Sequence, residues 1–292
     1  MAKTTTELAE RAALAEHAAA LGLRGRLLLR DAGCGEQLVS FPSLERTEDS
    51  NVCVPRGTES PDGSLVARCL GDITEIFHAA DGGLQNIVPG CAPAWRPDGI
   101  LTVAHEREVV RFRACSGRAA CAEPLIPASE LQRAARRHPT GSALGSLRVL
   151  VDGIAWVSET RAAVLLSIRI GPRLDGLGAL SQIAFFERGR LEATPGYFRR
   201  MGGTLAGSPR GTYVTQTPDV ILRGDGSQVS LPPHLRDVRS FAWSGDERFL
   251  AVATRRAVHV LDAGSLERFD QTGGGLRSIS LRLRATDLSW RN

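Results

Sequence analysis

The sequence predicts an all-β chain: a six-bladed β-propeller with a short N-terminal α-helix, its last blade closed by both termini. Three observations predict this. One unit of short strands and polar turns recurs along the chain. Every tryptophan falls at the same point of that unit. Each end of the chain holds strands too few for a blade of its own.

The unit is clearest at Ser240–Asp262. A strand ends at Trp243, the turn Ser244-Gly245-Asp246-Glu247 follows, and Phe249–Ala253 make a second strand. Arg255-Arg256 form a second turn and Val258–Leu261 a third strand. Trp95 to Phe112 repeats this layout. Ser60-Pro61-Asp62-Gly63, Val157-Ser158-Glu159-Thr160 and Ser208-Pro209-Arg210-Gly211 open three more copies, and Asp287–Arg291 ends where another turn begins. The first turn residues are Ser60, Arg96, Val157, Ser208, Ser244 and Arg291, spaced 36, 61, 51, 36 and 47 apart. A four-stranded blade takes roughly 40–50 residues. Proline at the second turn position presets the backbone, and Asp-Gly tolerates the tight conformation that follows. A tryptophan just before the turn is placed to wedge between neighbouring blades.

Taken in order, residues 4–21 read as a helix. Thr4 and Glu7 form a capping box, Leu8, Ala12, Ala15 and Ala19 recur on one face, and Gly22 is the stop. Arg26–Arg30 and Gln37–Phe41 read as the outer half of a blade, and residues 43–52 as a polar loop. Residues 122–148 form the longest insertion, with a helix over Ser129–Arg137. Gly171–Gly178 is a second long loop. Leu276–Leu283 and Thr286–Trp290 are spare strands that supply the missing inner half, which removes an exposed sheet edge. The chain then divides into a helix at 1–23 and a propeller at 24–292.

Composition bounds the function. The chain has 292 residues, 42% hydrophobic and 23% charged, enough for one large domain or two ordinary ones. No run approaches the roughly 18 apolar residues that mark a membrane span. Net charge is +4, a mild balance that argues mainly for solubility. Lys3 is the sole lysine; arginine suits bidentate contacts to carboxylates and phosphates. Aromatics are 5% of the chain and do not interleave with the basic residues, so nucleic acid is not an expected partner. A monomer is expected.

Six cysteines stand at 34, 53, 69, 91, 115 and 121. An even count suggests three disulfides, and Cys115–Cys121 would close a small loop. No Cys-x-x-Cys spacing points to zinc. Structural disulfides belong to oxidising compartments, which favours an extracytoplasmic location. No secretory signal is visible, so a cytoplasmic location stays open.

Pro93–Gly99 (PAWRPDG) and Phe241–Thr254 (FAWSGDERFLAVAT) resemble the blade motifs of bacterial TolB-type and WD-repeat-like propellers. The resemblance spans most of residues 24–292 and implies the fold rather than an activity.

The chemistry-bearing residues form no catalytic set. His105-Glu106 lacks a second histidine for a zinc helix. There is no Gly-x-Ser-x-Gly elbow and no phosphate-binding lysine loop. His78 and His259 occupy corresponding third-strand positions and read as blade packing. No metal or cofactor is expected. Blade turns alternate between two faces. Turns after the first and third strands carry Asp62, Asp81, Asp98, Asp225, Asp246, Glu247 and Asp262. Turns after the second strand and between blades carry Arg107, Arg173, Arg199, Arg200, Arg236, Arg239, Arg255 and Arg256. This basic set is the expected binding surface for an anionic ligand or partner. The expected function is a non-catalytic module that binds a protein, peptide or envelope polymer. The alternative is a lyase or hydrolase with His105, Glu106, His234 and Asp237 at the channel mouth.

Overall fold

The computed structural model describes residues 2–31, 35–48, 57–114, 120–136, 147–170, 179–194, 204–235 and 237–291. The fold is a six-bladed β-propeller with three helices among the described residues. Each blade is a four-stranded antiparallel sheet. Blade 1 holds Thr58–Glu59, Leu65–Leu70, Ile73–His78 and Leu84–Pro89. Blade 2 holds Cys91–Trp95, Leu101–His105, Glu108–Ala114 and Ala120–Ile126. Blade 3 holds Leu147–Trp156, Arg161–Ile170, Ala179–Glu187 and Arg190–Ala193. Blade 4 holds Leu205–Gly207, Tyr213–Gln216, Val220–Arg223 and Gln228–Val229. Blade 5 holds Ser240–Trp243, Phe249–Ala253, Val258–Asp262 and Ser278–Leu281. Blade 6 holds Asp287–Arg291, Gly25–Arg30, Glu36–Phe41 and Glu45–Glu48.

Both termini close blade 6, but in a ratio of one strand to three rather than two to two. Asp287–Arg291 pairs with Gly25–Arg30, Leu27 opposite Trp290. The other spare C-terminal strand completes blade 5 instead, Leu281 opposite Val258. Helix α3 (Ala263–Thr272) returns the chain to that edge. Asp262 caps it by accepting from Ser265 N, and Gly273 ends it in the left-handed conformation. The fourth strand of blade 6, Glu45–Glu48, lies inside the stretch expected to be a loop. It is an outermost strand in which Glu45, Arg46 and Thr47 are exposed, so no apolar alternation marks it.

The chain forms two compact units. The central unit, Val54–Gly207 with Gly224–Ser227, contains blades 1 to 3. Ala67, Ile76 and Val88 of blade 1 pack on Leu101, Val103 and Val110 of blade 2. Val109 and Ile126 of blade 2 pack on Ile154, Val164 and Leu166 of blade 3. Helix α2 (Ala128–Arg136) inserts Leu131, Ala134 and Ala135 into the same cluster. Of the stretch expected to be an insertion, Ala122–Ile126 instead belongs to the fourth strand of blade 2, and α2, one residue from where the spacing placed it, is held by one apolar face.

The terminal unit comprises Met1–Cys53, Ser208–Arg223 and Gln228–Asn292. Ile221 and Val229 of blade 4 pack on Trp243, Leu250 and Val252 of blade 5, joined by Leu266 of α3. Phe249, Ala251 and Val258 of blade 5 pack with Leu27, Leu29 and Val39 of blade 6. Helix α1 (Ala2–Leu21) joins this cluster through Leu14, Ala15, Ala18 and Leu21. Of the expected face through Leu8, Ala12, Ala15 and Ala19, only Ala15 packs here and the other three are exposed. Thr4 lies within the helix rather than at its cap. The face turned because only the last two turns reach the sheets, and there Leu14, Ala18 and Leu21 offer more apolar surface than alanines alone.

Candidate functional site

The turn after the first strand builds the site. In blade 1, Ser60 N donates to Leu65 O and Gly63 N to Ser60 O. Ser60 Oγ donates to Asp62 Oδ1 at 2.6 Å and accepts from Leu65 N. Asp62 Oδ1 also accepts from Ser64 N. These bonds, the Ser60 hydroxyl first, lower the Asp62 carboxyl to about 2. Blade 5 repeats every bond: Ser244 N to Phe249 O, Glu247 N to Ser244 O, Ser244 Oγ to Asp246 Oδ1, Phe249 N to Ser244 Oγ and Arg248 N to Asp246 Oδ1. At Asp246 burial pulls the carboxyl up, but the Ser244 hydroxyl and Arg248 N–H together hold it below its ordinary value.

Blade 4 departs from this pattern at one atom. Its turn has Arg210 where the others have Asp62 and Asp246. The missing carboxylate comes from the next blade: Glu247 Oε1 accepts from Arg210 N at 2.5 Å and from Thr212 N at 3.5 Å. Glu247 is buried and stands at φ +59°, where the equivalent positions hold Gly63, Gly99 and Gly211. A side chain in the left-handed region costs about 1–2 kcal/mol. Here the cost accompanies a charge-assisted bond between two blades.

This exchange leaves position 210 to an arginine, and its neighbours form a cleft of about 500 Å³. Arg24, Arg210 and Arg248 line it with Asp246, Phe249 and Trp290. All three arginines are exposed, and none forms an ion pair within the described residues. Asp246 lies close enough for Arg248 to stabilise its charge. Trp290 lines the cleft and stacks with Phe41 at 5.6 Å and with Phe249 at 6.5 Å. A Cβ on Gly25 would stand 2.9 Å from Trp290 Nε1; glycine is what lets the indole approach the backbone. The Trp290 Nε1–H has no hydrogen-bond partner within the described residues. The cleft is thus lined by three guanidinium groups to one carboxylate, with an indole N–H among them, a lining of net positive charge.

Sequence reasoning placed the basic surface elsewhere. Arg107 lies in the turn between the second and third strands of blade 2 and lines a cavity of about 110 Å³ with Gln132 and Arg148. Arg239 precedes blade 5, and Arg255 and Arg256 form its second turn; all three are exposed. Arg173, Arg199, Arg200 and Arg236 lie outside the described residues, as does Cys115. Cys121 is disulfide-bonded, and Cys69 pairs with Cys91. Of the enzyme candidates, His105 and Glu106 belong to the central unit, and His234 and Asp237 to the terminal one. His234 stands edge-on to His259 at 6.1 Å. Among the described residues no three His, Cys, Asp or Glu side chains gather as a metal site. The cleft arginines were legible in one signal: Pro209-Arg210-Gly211 lacks the turn aspartate, and Glu247 replaces the turn glycine.

The tryptophans do wedge between blades. Trp95 Nε1 donates to Thr58 O of blade 1, and Trp156 Nε1 to Thr102 Oγ1 of blade 2. Trp243 stacks on Tyr213 of blade 4 at 4.6 Å.

No family model matches the chain, and no curated protein matches its sequence. Among solved structures it is similar to the β-propeller domain of Cps50 (Swd1) from Myceliophteria thermophila, with 10% identity and TM-score 0.50. That match covers 92% of this chain and 90% of the other. It is also similar to Kuenenia stuttgartiensis hydrazine synthase, at 15% identity and TM-score 0.44, over 82% of this chain and 90% of that one. At 10% identity the likeness to the Cps50 domain shows the WD-like propeller fold alone.

Proposed function

We propose that this chain is a non-catalytic propeller, of the TolB-like kind its blade motif resembles. It acts as a binding or scaffold module for a protein, peptide or envelope ligand, holding an anionic group in the terminal-unit cleft. The observation that carries this reading is the set of three arginines around one cavity, none held in an ion pair within the described residues, against a single lining aspartate, Asp246. The size of that cavity falls within the roughly 300–1,000 Å³ of ligand pockets. Arginine keeps its proton throughout the physiological range, so this lining recognises charge rather than shuttling protons. That favours binding over the lyase or hydrolase alternative.

The test is retention of the protein on an immobilised polyanion in moderate salt. R24E/R210E/R248E should abolish retention with the fold intact by circular dichroism. The exposed pair Arg255 and Arg256 offers a second basic surface, and R255E/R256E is the matched comparison. Loss in the second variant alone would move the binding surface to the turns expected from the sequence.

The Cys69–Cys91 bond supports an extracytoplasmic location. A thiol count on unfolded, unreduced protein should give none; six would place the chain in a reducing compartment.

A further inference from the structure

Resting on the reading above, we infer that the cleft recognises clustered carboxylates of an acidic peptide segment rather than a phosphate group. Phosphate sites are commonly built from converging backbone N–H groups, at a helix N-terminus or a glycine-rich nest. Here much of that supply is already committed. Ser244 N, Arg248 N and Phe249 N donate within their own turn. Gly22 N donates to Ala19 O and Arg210 N to Glu247. Recognition falls to side chains, guanidinium groups whose planar forks pair with carboxylates or phosphates two bonds at a time, so the committed backbone donors are what weighs against phosphate.

The arginines come from three separate segments: Arg24 from the link between α1 and blade 6, Arg210 from blade 4 and Arg248 from blade 5. Three always-charged side chains around one cavity of about 500 Å³ match a chain that carries several carboxylates. Phe41 and Phe249 are buried and Trp290 stacks with both, which leaves little aromatic surface for a planar base. Trp290 Nε1–H and the ring edge add a donor for a carboxylate or a peptide carbonyl.

Glu247 is the positioning residue. It ties the turn that carries Arg210 to the turn that carries Arg248, and so sets their spacing.

The experiment is fluorescence anisotropy of labelled octaglutamate with the full chain, with polyphosphate and inorganic phosphate as competitors. Octaglutamate should bind, polyphosphate of equal charge should compete at least ten-fold less well, and R24Q, R210Q or R248Q should each weaken binding about ten-fold. W290F, which keeps the stack and removes the N–H, should weaken it a few-fold. E247Q should weaken binding more than its fall in melting temperature accounts for, while R255Q/R256Q leaves it unchanged. Tighter binding of polyphosphate, lost in the same arginine variants, would overturn the carboxylate inference and leave the binding module standing. Octaglutamate binding indifferent to the cleft variants, or no binding of any anion, would overturn both.

Discussion

Trp156 and Trp243 occupy the same position in two blades and are held by different forces. In the central unit the indole N–H is the fixing point: Trp95 reaches Thr58 O and Trp156 reaches Thr102 Oγ1. Arg96 lies over the Trp156 ring at 5.7 Å. In the terminal unit the ring face is the fixing point. Trp243 stacks on Tyr213 with its buried N–H left without a partner, and Trp290 stacks on two phenylalanines. The turns divide the same way. The Ser60 turn closes on its own aspartate, whereas the Ser208 turn borrows Glu247 from the next blade. A repeat therefore specifies where a side chain stands, not what holds it. In the terminal unit, shared fixation leaves Arg210 and the Trp290 N–H available to a ligand.

The comparison can be broken at several points. The largest effect is expected at Trp156→Phe, which loses both volume and a buried hydrogen bond, about 2–3 kcal/mol. Trp243→Phe loses volume alone and should cost about 1 kcal/mol less. Equal shifts in denaturant midpoint would mean the two indoles are held alike.

Next comes Glu247→Gly. It relieves a left-handed side chain, worth about 1 kcal/mol, but strips a charge-assisted bond from Arg210 N, worth about 1.5–3 kcal/mol. A net loss of about 0.5–2 kcal/mol is expected, read as a lower melting temperature. A neutral or stabilising result would show that the bond between blades 4 and 5 contributes nothing.

The mirror substitution, Gly63→Glu, puts a side chain at φ +70° with nothing within 4 Å of its Cβ. It should cost about 1 kcal/mol and gain no partner. A stabilised variant would mean that the position, not the neighbour, favours glutamate.

The smallest effect is in pH dependence. The folded Asp62 carboxyl, at about 2, lies below its ordinary value of about 3.9. Its contribution is complete above about pH 4 and is lost as pH falls toward 2. Asp62→Asn should flatten the fall in melting temperature across that window, and an unchanged slope would show that the turn does not depend on the charge.

Much of this was legible from spacing. The six turn positions, the phase of all four tryptophans and the closure by both termini follow from a pattern repeated along the chain. Helix α3 is absent from the sequence expectations, although Asp262 at its start and Gly273 at its end are ordinary start and stop residues. Its signal was masked by strand-like neighbours and by a glycine run that also suits a turn. The α1 face was misread because Leu8, Ala12, Ala15 and Ala19 are periodic, and periodicity cannot say which turns of a helix meet a partner. The cleft was hidden because Arg24, Arg210 and Arg248 are far apart in the chain and share no motif.

By itself the sequence determined the blade: apolar strands alternate with Ser-Pro-Asp-Gly turns whose hydrogen bonds close within six residues, so local chemistry suffices. Tertiary structure alone decided which strand closed which sheet, what fixes each tryptophan and where the arginines meet. Those outcomes depend on contacts between segments distant in the chain, such as Glu247 with Arg210 and Trp290 with Gly25. Burial and close approach become specific only once neighbouring blades pack.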